Sequence, residues 1–244
     1  PVAALNTLIV PAAHFFSMTL SDGTKVWINA NSELDFPSTF AAAERRVKLS
    51  GEAYFEVAPD KERPFYVETT NAQIRVLGTH FNVSAYTAKA VTSLVEGKVE
   101  VSSGTNVQLL LPGQMATVNA QGISLGKADI LKSCAWKNNE FYFRSDNIVR
   151  IAQELQSWYG LEVSFASDVS LSQTYTGEIR RDANLSEVLT MLEFVSDLDF
   201  KIDKNKLTLI NVGRHTEEEK NLSMLFNVIK KLLDESYDFE LLLI

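Results

Sequence analysis

Gly122-Ile123-Ser124-Leu125-Gly126 has the G-x-S-x-G spacing of a nucleophile elbow. That chemistry needs a strand before the serine and a helix after it, so that the hydroxyl stands exposed on a strained turn. Here the motif lies among short strand-like runs, and Lys127-Ala128-Asp129 opens no helical pattern. A serine nucleophile also needs a base. His14, His80 and His215 are the three histidines, and each sits in an unrelated setting. The motif therefore reads as a strand with glycine turns, and a serine hydrolase is the weakest functional reading.

Metal chemistry has little to work with. Three scattered histidines and one cysteine, Cys134, offer no ligand pair at local spacing, and no His-x-His occurs. His80, after Gly78-Thr79, reads as a turn or strand-edge residue. No Gly-rich dinucleotide fingerprint or phosphate loop is present, so no cofactor is expected. Glu52 and Glu56 share one strand face, which reads as a solvated face rather than an acid pair. Trp27, Trp136 and Trp158 are the material for a sugar cleft, and a β-rich carbohydrate-binding module is the alternative function they suggest. Trp158 sits beside a helical stripe and reads more simply as core. No catalytic, cofactor or metal residue is assigned, and the partner-binding residues stay open.

The elements that position these residues fall into two periods. From about Phe15 to Asp129 apolar residues alternate, most clearly in Val47, Leu49, Gly51, Ala53, Phe55 and Val57. The opposite face of that run carries Arg46, Lys48, Ser50, Glu52, Tyr54 and Glu56. A period of two is a strand with one buried face. Val26-Ile28-Ala30, Phe81-Val83-Ala85, Val99-Val101 and Val107-Leu109-Leu111 repeat the pattern. Asp22-Gly23 signals a hairpin and Pro112-Gly113 a turn. Phe40 to Arg46 reads as a possible short helix. Many short strands predict a mainly β domain over 1–135: an antiparallel sandwich, a roll or a β-helix-like fold.

From about Asn138 the spacing becomes helical. Ile148, Ile151, Ala152, Leu155 and Tyr159 form one stripe, capped by Ser145, Asp146 or Asn147 and stopped by Gly160. Leu185, Val188, Leu189, Leu192 and Val195 form a second, with Asn184 as its cap. The two align at an offset of 37 residues, Ile148 on Leu185 and Val163 on Phe200. Phe141-Tyr142-Phe143 and Thr174-Tyr175-Thr176 precede the helices as strands. The spacing predicts a small α+β domain over 136–210, built from two βαβ units.

Composition bounds the function. The 244 residues carry a formal net charge of −8, which argues against a general nucleic-acid binder. One cysteine excludes an internal disulfide and fits either a reducing or an oxidising compartment. Pro1 to Phe16 is apolar but broken by Asn6, Thr7, Pro11 and His14, too short for a span of roughly 20 residues. The chain opens at Pro1 and not at Met, so a natural N-terminal part is expected to precede it.

Six motifs occur in order and resemble the FecR domain of bacterial anti-sigma factors. Leu20-Ser21-Asp22-Gly23-Thr24-Lys25-Val26-Trp27-Ile28-Asn29-Ala30 resembles the family's L-x-DGT-x-V-W-L-N-A opening. Arg45-Arg46-Val47-Lys48-Leu49-Ser50-Gly51-Glu52-Ala53-Tyr54-Phe55-Glu56-Val57 is similar to its R-x-V-x-L-x-GEAYFEV strand. Pro64-Phe65-Tyr66-Val67, Val76-Leu77-Gly78-Thr79-His80-Phe81-Asn82-Val83, Leu94-Val95-Glu96-Gly97-Lys98-Val99 and Leu111-Pro112-Gly113-Gln114 complete the series. They cover about residues 15 to 130. Residues 136 to 210 resemble the C-terminal domain common in FecR-like proteins of Bacteroidetes, through Phe141-Tyr142-Phe143, Ile151-Ala152-Gln153-Glu154-Leu155, Trp158-Tyr159 and Tyr175-Thr176-Gly177.

The resemblance implies the periplasmic sensor part of a transmembrane anti-sigma factor, with no enzymatic activity. It implies a partner in the signalling domain of a TonB-dependent outer-membrane receptor. An ECF sigma factor would be bound only through a cytoplasmic segment absent here, and a transmembrane helix absent here would anchor the protein in the inner membrane. Residues 138–210 are expected to carry the receptor contact through sheet edges.

The family pattern stops near Leu209-Ile210, and residues 211–244 form a tail. Thr216 and Glu219 have capping-box spacing, and Leu222, Leu225, Phe226, Ile229, Leu232 and Leu233 make one helical stripe. Residues 216–244 hold more acids than lysines, the wrong sign for an anionic membrane surface. The segment 216–233 is therefore expected to dock on its own chain or, less favoured, to self-associate with a second copy, with a frayed tail as the plain alternative.

Overall fold

Alternating burial turns the first part of the chain into strands, and one long strand organises them. The chain is described here by a computed structural model covering residues 4–167, 169–196, 198–203 and 206–211. It divides into two units, Pro1–Glu140 and Phe141–Ile244.

The first unit contains β1 (Leu5–Val10), β2 (Phe16–Thr19), β3 (Lys25–Ile28), β4 (Ser32–Pro37), β5 (Arg45–Glu56), β6 (Phe65–Glu68) and β7 (Gln73–Val76). There follow β8 (His80–Ala85), β9 (Ala90–Glu96), β10 (Val99–Ser103), β11 (Asn106–Leu110), β12 (Gln114–Asn119) and β13 (Gly122–Lys127). One layer runs β1-β4-β5-β6-β7-β10-β11, the other β2-β3-β5-β8-β9-β12-β13. Only β5–β6 is parallel among these pairs.

β5 belongs to both layers. Its first half pairs with β4 and β6, its second half with β3 and β8. The change of layer falls at Gly51, whose φ is +103°. A Cβ there would stand 2.3 Å from Ser32 Oγ, so the crossing needs glycine. Ser32 Oγ accepts from the Glu52 N–H at 2.9 Å and donates to the Ala30 carbonyl at 3.0 Å, which holds the bend.

The core lies between the layers and draws on both. Leu34, Val47, Leu49, Phe65, Ile74 and Val101 come from one side, and Val26, Ile28, Phe55, Phe81, Val83 and Leu94 from the other. Phe55 stacks on Phe81 at 5.3 Å and tilts against Phe65 at 6.1 Å. Each such side chain, fully buried, contributes about 1.5–3 kcal/mol of transfer free energy. This is the mainly β first domain that the alternation predicts.

Three local expectations are corrected. Phe40 to Arg46 forms no helix, because Arg45 and Arg46 already open β5 and the Arg45 N–H donates to the Pro64 carbonyl at 2.8 Å. On β11 the buried residue is Leu110, while Val107, Leu109 and Leu111 are exposed. The register sets this: Leu110 lies opposite Val99, which faces the core. After β13 a helix does open at Asp129: α1 (Ile130–Cys134), whose Lys132 N–H donates to the Asp129 carboxylate at 3.2 Å. A single tighter turn, Ala135–Asn138, continues it.

The second unit contains β14 (Glu140–Asn147), α2 (Ile148–Tyr159), β15 (Glu162–Phe165), β16 (Thr174–Arg180), α3 (Leu185–Val195), β17 (Leu198–Asp203) and β18 (Lys206–Asn211). Strand, helix and strand follow twice, and the strands of the two repeats interleave. The leading strands β14 and β16 pair with each other. The trailing strands β15 and β17 flank β18, parallel to β15 and antiparallel to β17. Asn147 caps α2 by accepting from the Arg150 N–H at 3.0 Å, and Gly160 ends it in the left-handed region. Asn184 and Glu187 form a capping box on α3.

Aromatic residues close the core of this unit. Phe141 meets Trp158 edge-on at 6.2 Å, and the Arg181 guanidinium lies 4.9 Å and 4.8 Å from their ring centres. Trp158 Nε1 donates to the Arg181 carbonyl at 3.0 Å and the Tyr159 hydroxyl to the Ala183 carbonyl at 2.8 Å. Burial pushes the Tyr159 phenol up to about 12. The tail helix expected over 216–233 lies outside the described residues.

Candidate functional site

The residues with catalytic spacing are not brought together. Ser124 lies inside β13, opposite Thr117 of β12, on a hairpin and not on a strand-to-helix elbow. His14 bonds the Ala12 carbonyl at 2.8 Å. His80 opens β8 at a bulge, paired with Glu56 of β5 and Glu96 of β9, and its ring lies 3.3 Å from the Glu96 carboxylate. His215 lies outside the described residues. Among the described residues, no three His, Cys, Asp or Glu side chains are grouped so as to hold a metal ion.

The motif residues gather at two places instead. At the first, Asp22 of the Asp-Gly-Thr turn meets Arg45, the first residue of β5, in an ion pair with both side chains buried. Arg45 Nη1 donates to Asp22 at 2.7 Å and to the Ala58 carbonyl at 2.9 Å, and Nε donates to the Arg63 carbonyl at 2.9 Å. Asp22 also accepts from the Thr24 N–H at 3.0 Å and hydroxyl at 2.7 Å. The guanidinium lies 5.4 Å from the centre of the Phe65 ring. Three segments far apart in sequence are thus tied by one cation. These bonds offset part of the desolvation penalty of burying the guanidinium, whose Nη2 is buried without a hydrogen-bond partner.

The second place corrects the reading of Glu52 as a solvated carboxylate. Glu52 of β5 accepts from Nδ2 of Asn29, the residue after β3, at 2.7 Å and from Nδ2 of Asn82 of β8 at 2.9 Å. Asn82 Oδ1 in turn accepts from Trp136 Nε1 at 3.2 Å. Lys137 comes within 4.0 Å of Glu56 and lies 4.7 Å and 4.6 Å from the ring centres of Trp27 and Tyr54. Ser133 donates to Ser93 at 3.1 Å. Residues 129–139 therefore cover the outer face of β3, β5 and β8, and Tyr54, expected outside, is buried. Burial, and then the neighbouring Cys134 and glutamates, push its phenol up to about 12. Burial likewise pushes the Cys134 thiol up to about 11.

This cover also decides the tryptophans. Trp136 is spent on Asn82 and Trp27 on Tyr54 and Lys137, while Trp158 is buried in the second unit. No sugar-binding row of the three exists. Sequence reasoning missed Lys137 and the covering segment. The Asp129 cap was the available signal, and α1 was too short to register as a helical period.

The second unit offers a different surface. Among the described residues, β14 and β16 pair only with each other, and β15 and β17 are the outer strands of their sheet. Tyr142 stacks under Arg144, 5.2 Å from ring centre to guanidinium. Met191, Phe194 and Val195 of α3 are exposed. No described helix is long and apolar enough to cross a membrane.

Comparison with known proteins matches both regions. The family profile described as FecR protein matches residues 7–100, and that described as FecR, C-terminal matches residues 140–209. A crystal structure at 1.65 Å resolution from Parabacteroides distasonis, provisionally assigned as an anti-sigma factor, is similar with a TM-score of 0.76 and 30% identity. The match covers 85% of this chain and 100% of that one. A second structure of the same description, at 2.50 Å, gives a TM-score of 0.75 and 30% identity over 86% of this chain and 100% of its own. No curated protein matches the chain.

Proposed function

Because this chain belongs to the FecR family, we propose that it is the periplasmic sensor part of a transmembrane anti-sigma factor. It relays a signal from the signalling domain of a TonB-dependent outer-membrane receptor to an ECF sigma factor. The observation that carries this reading is the two family matches in order, one on each unit, with a relative of the same two-part extent assigned as an anti-sigma factor.

The geometry supports a division of labour. The first unit is a scaffold whose polar motif residues bond one another. The second unit receives the receptor domain, because its outer strands present unpaired backbone groups to an incoming strand. Such a contact is small and reversible, which suits a relay. The protein performs no catalysis. Ester turnover that disappeared in Ser124→Ala would count against that.

The test is hydrogen exchange on the full chain with and without a purified receptor signalling domain. Added protection is expected in residues 141–211, first at β14, β15, β16 or β17. Protection confined to residues 4–140, or none at saturating receptor domain, would overturn the assignment of the contact.

A further inference from the structure

β11 ends one layer of the first unit, and among the described residues it pairs with β10 alone. The β10–β11 hairpin turns at Gly104-Thr105, so Ser103 and Asn106 flank a two-residue loop as a hydrogen-bonded pair. Bonded and non-bonded pairs alternate from there. Asn106, Gln108 and Leu110 therefore direct their N–H and C=O groups at β10, while Val107 and Leu109 direct theirs away from it. The open run stops at Leu111. Its N–H donates to Gln114 Oε1 at 2.9 Å, its carbonyl accepts from the Gln114 N–H at 3.0 Å, and Pro112 has no N–H to offer.

The side chains along this edge are apolar and stand in water. Val107, Leu109 and Leu111 are 53%, 54% and 50% exposed, and Leu125 of β13, the last strand of the other layer, is 47% exposed. Residues 101–126 include no charged side chain, in a chain with 23 basic and 31 acidic residues. Open edges are ordinarily guarded by charge, and this one is not. The other end of the same layer differs: on β1, Thr7 and Ile9 lie opposite Asp35 and Glu33.

Two features select the occupant. Copies of a chain with net charge −8 repel where their acids meet, and the uncharged stretch is where they do not. The open groups are also complementary to themselves. With a two-fold axis at Gln108, Val107 of each copy faces Leu109 of the other, antiparallel, and four backbone hydrogen bonds close. The valine and leucine side chains of both copies then share one face as cross-strand apolar pairs. We propose that β11 is a dimer contact, in which β11 of a second copy of this chain pairs antiparallel with it and joins the two layers edge to edge. The contact is narrow, so the dimer is weak and exchanging.

Sedimentation equilibrium of the full chain reads the dimer directly. Its mass is expected to rise from monomer toward dimer between about 10 μM and 1 mM. Leu109→Lys should move that rise at least about tenfold higher in concentration, because it sets a charge on an exposed position of the edge and leaves the core untouched. Leu5→Lys, on the edge strand β1, should leave it in place. In a Cys134→Ala background, Gln108→Cys should give an interchain disulfide under mild oxidation, since the facing Cα atoms at the axis stand about 4.5 Å apart. Asn106→Cys, also exposed, should not, because its two copies lie about 14 Å apart. A chain that stays monomeric throughout that range, or a dimer indifferent to Leu109→Lys, would overturn the proposal. So would crosslinking by Gln108→Cys no better than by Asn106→Cys, or loss of the dimer in Leu5→Lys, which assigns the contact to β1.

Discussion

In the first unit Asp22, Asn29, Arg45, Glu52 and Asn82 all bond within the unit. In the second unit the polar residues are mostly at the surface, and Met191, Phe194 and Val195 join them there. The first arrangement fixes a shape. The second keeps surface and strand edges available. Motif residues of marked polarity therefore mark the fastenings of the scaffold, and the receptor contact proposed above lies elsewhere.

The contrast is most sharply tested by cutting the strongest fastening. Arg45→Ala leaves Asp22 buried without its cation, and should cost about 3–5 kcal/mol in urea unfolding of the first unit. A loss below about 1 kcal/mol would show that the ion pair does not hold the scaffold. In the second unit Trp158→Ala removes a buried ring and a hydrogen bond. A loss of about 3 kcal/mol is expected, confined to a transition that near-ultraviolet circular dichroism of the Phe141–Trp158 pair reports. If one shared transition moved instead, the two units would not unfold independently.

A gentler change addresses the cover on the first unit. Trp136→Phe keeps an aromatic ring but loses the pyrrole part of the indole with the N–H that reaches Asn82, for an expected loss of about 1–2 kcal/mol. Hydrogen exchange at residues 130–139 should rise with it. Unchanged exchange there would mean that Trp136 packs without latching.

The smallest effect is a pH dependence. Cys134 has its pKa raised from 9.0 to about 11, mainly by burial. The folded state then holds the proton more tightly than the unfolded state. Its stabilisation is full below about pH 9 and is lost as pH rises toward 11. Stability should fall across that window, and Cys134→Ala should flatten part of the slope. Tyr54, raised to about 12, extends the decline at its upper end.

What the sequence made legible was the local part of this architecture. Val47, Leu49, Ala53 and Phe55 point inward as their alternation predicts, and Asn147, Gly160 and Asn184 bound the helices where their chemistry places them. Glu52 and Tyr54 were misread because their face is covered by residues about 80 positions later, and no local period carries that information. β11 was misread because Leu109, Leu110 and Leu111 are consecutive: a period of two cannot choose a face when both are apolar, and only pairing with Val99 does. Arg45 entered the sequence reading only as the first residue of a motif. Its burial is intelligible only once the Asp22 turn is in place beside it.

The bend at Gly51 bears on kinetics as well as shape. Because β5 supplies a strand to each layer, neither sheet can be completed before the other has begun, and the strands that pair with it come from both earlier and later in the chain. Such non-local pairing belongs to slow, millisecond-to-second folders. The first unit should therefore refold without a half-formed sandwich, and substitutions along β5, such as Leu49→Ala and Ala53→Gly, should slow refolding more than they speed unfolding. Substitutions at the outer strands β1 and β13 should do the reverse.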